Sequence, residues 1–145
     1  MSIALLPILA AALGGVAIAF QSQFSGVLGH QLGVIESVFV LHAAGMFLSA
    51  VLILFVRGGN LSSWRIVPWY VYLAGFLGVL IVAAISYAVP RLGLATTLTV
   101  SIVIQLIVGC VFDQFGLFGL TQHPIDWSRG FGIAVLLAGT WLILR

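Results

Sequence analysis

Four polar side chains stand where the surrounding sequence is otherwise apolar, and each is of a type that could do chemistry there: Gln21, Glu36, Ser101 and Gln105. A carboxyl group in hydrocarbon is costly, and its use is to exchange a proton or hold a cation. Glu36 is therefore a candidate coupling group. A primary amide offers donors and an acceptor without a charge, which suits Gln105 to orienting a polar substrate at a depth that water does not reach. Gln105 also belongs to a series. Between Leu92 and Asp113, in LGLATTLTVSIVIQLIVGCVFD, the residues Thr97, Ser101, Gln105, Gly109 and Asp113 follow one another at i+4. On a helix such a series forms a stripe that winds slowly, drifting by roughly 40° per step. Against lipid the stripe would be unfavourable, so it predicts a surface facing other helices or a wet cavity.

Each of these residues also has a structural use. Thr97, Ser101 and Gly109 are small enough to let helices approach closely, and Gln105 near mid-span could bond a neighbouring helix instead of lining a pathway. Glu36 could be a protonated group bonded to another helix, or one that reaches back to the interface. His42 stands six residues after Glu36, not at i+3 or i+4, so the two share no helix face. It reads as a hydrogen-bonded structural residue. Asp113 reads as an interfacial residue at the end of its helix.

The elements that must position these groups follow from composition. With 63% hydrophobic and 6% charged residues among 145, and a mean hydropathy of +1.31, the chain is an integral membrane protein of all-α class. Its length predicts a single transmembrane domain, 1–145, without a soluble catalytic domain. Five apolar runs emerge, roughly 3–24, 33–56, 68–89, 92–113 and 127–144. Paired acids, HExxH, GxSxG and nucleophile–base motifs are missing from the sequence, so no enzyme, no catalytic residue and no cofactor are expected. Cys110 is the one cysteine and allows neither an internal disulfide nor a CxxC metal site. The five arginines are scattered, the nearest two being Arg57 and Arg65, which leaves no basic patch for a nucleic-acid partner.

Local signals fill in the connections. Ala17-Ile18-Ala19 resembles a signal-peptidase site, but the first arginine is Arg57 and a basic leader region is missing, so the first run reads as a retained span. Gly14 and Gly15 in that run, Gly75 and Gly78 in the third and Gly109 in the fourth are expected at helix contacts. The first run ends in Gln21-Ser22-Gln23-Phe24-Ser25-Gly26, polar enough either to leave the membrane or to continue as a helix beside a wet cavity. Arg57 to Ser63 is a break, Pro68 suits the first turn of the third helix, and Trp64, Trp69, Tyr70 and Tyr72 read as an interfacial aromatic belt. Pro90-Arg91 is expected to end the third span, and the short turn to Gly93 predicts an antiparallel pairing of the third and fourth spans. In Gln114-Phe115-Gly116-Leu117-Phe118-Gly119 and on to Pro124, the glycines and the proline mark the exit from the fourth, and Asp126 is the expected N-cap of the fifth.

Five spans put the termini on opposite sides. With the amino terminus cytoplasmic, Arg57, Arg65 and Arg129 fall inside and Arg91 and Arg145 outside. Three against two is a weak bias under the positive-inside rule, and it predicts insertion in both orientations. Two oppositely oriented copies would recreate a ten-helix inverted-repeat transporter.

The stretch PWYVYLAGFLGVLIVAAISYAVPRLGLATTLTVSIVIQLIVGCVFDQFGLFG resembles the YdcZ-type small five-helix family of the drug/metabolite transporter superfamily. Pro90-Arg91-Leu92-Gly93, the membrane Gln105 and Asp113-Gln114-Phe115-Gly116 carry the resemblance most specifically, and Gly14-Gly15, Gln21 and Leu32-Gly33 extend it over the first half. Ser25 stands where such sequences often have Asn. The resemblance implies a half-length transporter of unassigned substrate, working as an antiparallel homodimer or with a homologous partner chain. Taken with the residues, it suggests a proton-coupled small-molecule secondary transporter or exporter, multi-pass in the lipid of a bacterial inner membrane. Gln21, Glu36, Gln105 and Ser101 would line its cavity. The alternative is a non-transporting membrane scaffold or accessory subunit in which the same polar groups hold helices together.

Overall fold

The computed structural model of the chain describes residues 5–56, 59–117 and 122–145. Ile3 at the expected start of the first span, Arg57 and Gly58 of the expected break, and Phe118 and Gly119 of the expected exit lie outside them. The described residues form α1 (Leu5–Gln31), α2 (Val34–Phe55), two short 3-10 turns (Leu61–Ile66 and Trp69–Leu73), α3 (Ala74–Leu92), α4 (Leu94–Phe115) and α5 (Trp127–Leu144). Five stretches are long and apolar enough to cross a membrane, the third counted from Trp69 through α3. An apolar helix satisfies every interior backbone group within itself, which is what hydrocarbon demands of a spanning segment.

Burial is inverted relative to a protein made for water. The buried apolar residues described are Val38, Val82, Val89 and Val103, whereas Ser22, Ser25, Ser37, Ser86, Thr97 and Thr140 are buried polar ones. Leu6, Phe39, Phe55 and Trp127 are among the many large apolar side chains left exposed. Small hydroxylated residues draw helices together, and lipid takes up the apolar exterior.

Two compact units make up the chain. The first, Met1–Arg91, holds α1, α2 and α3; the second, Leu92–Arg145, holds α4 and α5. In the first, α1 runs on past Phe24 to Gln31 because Ser22, Ser25 and Gly26 are buried against neighbouring helices rather than released to water. Leu32 and Gly33 turn the chain into α2. Gly33 has φ 114°, a conformation that favours glycine.

Pro90 does not end α3, contrary to the sequence expectation. The helix carries the proline inside its last turn and continues to Leu92, and the break falls at Gly93, φ 82°. The missing proline N–H removes only one bond near a helix end. Arg91 holds that turn: its Nη1 donates to the Tyr87 carbonyl at 2.7 Å, and its guanidinium lies 3.7 Å from the Tyr87 ring centroid. At the other end of α3, Trp64, Trp69, Tyr70 and Tyr72 are all exposed. The Tyr72 hydroxyl donates to the Trp64 carbonyl. In the second unit Asp126 caps α5 as its position predicts, its Oδ1 accepting from the Arg129 N–H at 2.8 Å.

Candidate functional site

A groove of about 630 Å³ runs between α4 and α5. Its walls are Ile102 and Leu106 of α4 and Ile133 and Leu136 of α5, with Gly109 and Gly132 between them. A Cβ added to either glycine would meet nothing within 4 Å, so missing side chains hollow the groove. Its size falls among those of small-molecule sites, and its lining is mostly apolar with a few polar groups, as in such sites.

Gln105 and Asp113 both line the groove, separated by eight residues or about 12 Å of helix rise. At the Asp113 end, Arg129 Nη1 lies 3.3 Å from Asp113 Oδ2 and donates to the His123 carbonyl at 3.2 Å. The His123 N–H in turn donates to the Asp113 carbonyl at 2.9 Å, and the Ile125 N–H donates to Gln114 Oε1 at 2.7 Å. These bonds fix the connection between α4 and α5. The Arg129 and Asp113 side chains are 42% and 38% exposed. A pair so open to solvent contributes about 0–1 kcal/mol, so it positions the connection more than it stabilises it.

Gln105 is exposed in the single chain, and its amide bonds no described residue. It is therefore not a bond between helices of this chain, and its donors and acceptor are free for another partner. Ser101, one turn earlier, does not line the groove: its hydroxyl donates to the Thr97 carbonyl at 2.8 Å, and Thr97 donates likewise to Gly93 at 2.8 Å. The i+4 stripe thus divides. Its Gln105, Gly109 and Asp113 members enter the groove, while its hydroxyls close on their own backbone.

Glu36 is the third residue of α2, exposed, with its carboxylate folded over Gly33, so it lies within the span and close to one end of it, as a run beginning near Gly33 predicts. The turn at Gly33 starts the helix just before it. An acid in that first turn complements the partial positive charge of the helix end. Gln21 is exposed on α1, and no bond joins it to Glu36. These two belong to the first unit, Ser101 and Gln105 to the second.

The glycines expected at helix contacts also divide. A Cβ on Gly14, Gly15, Gly75 or Gly109 would meet nothing within 4 Å, whereas one on Gly78 would lie 3.3 Å from His42 Nε2. The tightest approaches are elsewhere, at Gly26 against Val89 and at Gly29, where an added Cβ would lie 2.6 Å from the Ser86 carbonyl oxygen.

A cluster that sequence reasoning missed joins α1, α2 and α3. Ser25, Ser37 and Ser86 are 2%, 0% and 1% exposed. Ser86 Oγ lies 2.6 Å from Ser25 Oγ and 2.9 Å from Ser37 Oγ. Ser37 Oγ donates to the Ser25 carbonyl at 3.2 Å, and Ser25 Oγ has a further contact with the Val82 carbonyl at 3.5 Å. Since the carbonyl can only accept, Ser37 donates to Ser25 O and accepts from Ser86, and Ser86 accepts from Ser25. The result is a ring of three serines, closed through the backbone carbonyl of Ser25. A lone serine in an apolar run gives little warning of it; the available signal was Ser25 in the polar end of the first run.

A protein-family model, DMT_YdcZ, described as "Putative inner membrane exporter, YdcZ", matches residues 6–142. We found no match among curated proteins and none among solved structures.

Proposed function

The chain belongs to the YdcZ family of inner-membrane exporters, and from that premise we propose that it is one half of a proton-coupled small-molecule transporter that works by alternating access as an antiparallel dimer. The family is one of exporters rather than enzymes, and the five apolar helices suit an inner-membrane location. The observation that carries the finer reading is the α4–α5 groove, with the Gln105 amide unbonded on its wall. In this reading Gln105 orients the substrate, Gln21 contributes a further polar group, Glu36 at the membrane face is the coupling or cation-binding group, and Ser101, bonded to its own backbone, stays behind the groove wall.

Two features favour a second copy of the chain or a homologous partner. The groove needs a cover to keep lipid from a polar substrate, and the Gly14 and Gly15 face of α1 is open in the single chain. An inverted second copy would place two such grooves around a pseudo-two-fold axis, the arrangement on which rocking motions of secondary transporters rest. The near balance of arginines favours insertion in both senses. A reporter fused after Arg145 is therefore expected to be found on both sides of the membrane. Uniform placement on one side would replace the homodimer by a pair with an oppositely oriented partner chain.

The transport reading is tested by a substrate screen in proteoliposomes, with and without a proton gradient. Glu36→Gln keeps the size and hydrogen bonding of the side chain and removes its charge, so pH-dependent flux or cation binding is expected to disappear from a folded protein. Unchanged pH dependence in that variant would reduce Glu36 to an interfacial helix-end residue. The serine ring supports a second reading, a scaffold or accessory subunit whose polar residues only hold helices together. Absence of substrate-dependent flux across the whole screen would favour it.

A further inference from the structure

His42 lies in α2, about 12 Å of helix rise beyond its first residue. Its Nδ1 is 2.9 Å from the Val38 carbonyl oxygen, one turn earlier on the same helix. A carbonyl can only accept, so Nδ1 carries the hydrogen. A neutral imidazole has one N–H, which leaves a lone pair on Nε2. That nitrogen faces α3 at Gly78, where an added Cβ would lie 3.3 Å away, and no described residue bonds it. The missing side chain of Gly78 gives this lone pair its room.

We propose that His42 is a proton-binding site inside the span, held as the Nδ1–H tautomer and taking up a proton at Nε2. The proton comes from hydronium: its O–H bond breaks as the Nε2–H bond forms, and water and an imidazolium result. The Nδ1–H bond to Val38 is kept in both states, so the ring need not turn to change charge. Imidazole is the side chain ordinarily suited to exchanging protons near neutral pH. The other ionisable groups of the packed helices are His30 on α1, Glu36 on α2, and Tyr87 and Arg91 on α3. All four stand nearer the Gly33 turn, beside or beyond the serine ring, and none is bonded to the imidazole. Among the described residues before α3, Arg65, Tyr70 and Tyr72 stand toward its opposite end. The site deepens the transport reading, on which its coupling role rests, by placing a proton acceptor within the span while Glu36 stands at its end.

The test is solid-state NMR of the full chain in liposomes, with histidine labelled at both ring nitrogens. His30, His42 and His123 are the three histidines, and His42→Gln identifies the His42 signals by their loss. At pH 9 the His42 ring should show Nδ1 protonated and Nε2 bare, the opposite of the tautomer preferred by imidazole side chains in water. Acidification to pH 4 should protonate Nε2. Gly78→Ala should shift the Nε2 resonance, because its methyl presses on that nitrogen. An Nε2–H tautomer at pH 9, or a ring still neutral at pH 4, overturns the proposal, and both are read on the unsubstituted protein. In proteoliposomes, His42→Gln should lose proton-driven flux while keeping downhill exchange; unchanged proton-driven flux overturns the coupling role. Absence of flux from the unsubstituted protein as well would count against the transport reading, and the NMR titration would still decide the proton site.

Discussion

Gln105→Leu is expected to abolish substrate flux while the protein still folds and assembles. Leucine is close to glutamine in volume, and it would join walls already made of Ile102, Leu106, Ile133 and Leu136. Among the described residues no hydrogen bond is lost, because the amide bonds none of them. Removing an unbonded amide from an apolar environment costs no stability and relieves a desolvation penalty. A substrate bound through that amide would instead lose a buried bond and be left with an unpaired polar group, about 1–3 kcal/mol. At about 1.4 kcal/mol per tenfold, flux at limiting substrate should fall roughly 5- to 150-fold. Uptake into proteoliposomes measures the loss, and size-exclusion chromatography of the purified protein measures assembly. Disappearance of the assembled species would make Gln105 a bond between chains and remove it from the transport pathway.

The largest loss of stability is expected from Gly29→Val. A Cβ there would lie 2.6 Å from the Ser86 carbonyl oxygen and 2.8 Å from the Ser86 Cβ. The first of these is a backbone atom and cannot swing aside. The helices α1 and α3 must separate, and the ring of Ser25, Ser37 and Ser86 opens with them. Overpacking alone costs about 1–3 kcal/mol, and each bond lost between membrane helices adds about 0.6 kcal/mol, up to ~1.7. Thermal unfolding in detergent should show a marked drop for this variant. Gly14→Val, at a position with nothing within 4 Å, should leave the fold of the single chain unchanged. Equal stability of Gly29→Val and the unsubstituted protein would disprove the close approach of α1 and α3.

How much of this is legible in the sequence depends on whether the cause is local. Five apolar helices follow from composition and run length, and the Asp126 cap from a residue and its own next turn. The serine ring depends on partners 12, 49 and 61 residues apart, and nothing near Ser37 or Ser86 in the sequence records that pairing. Pro90 misleads for a different reason: its breaking tendency is local and visible, but near a helix end the missing N–H removes only one bond, and Arg91 holds the same turn through Tyr87. Glu36 is legible in its depth, because the run that opens at Gly33 puts it close to a helix start, while the fold of its carboxylate over Gly33 depends on the turn. The stripe on α4 was half legible. Its i+4 spacing marks a face, and only the neighbouring α5 decides which part of that face becomes groove.

Because Gly109 and Gly132 shape the groove by what they lack, its calibre can be changed one methyl at a time. An alanine at either position takes up space without pressing on any neighbour, since an added Cβ meets nothing within 4 Å. The volume of the groove is thereby uncoupled from the tolerance of the helix contacts. In the transport reading, a sequence of this design can drift between wide and narrow grooves while α4 and α5 keep their seat on one another.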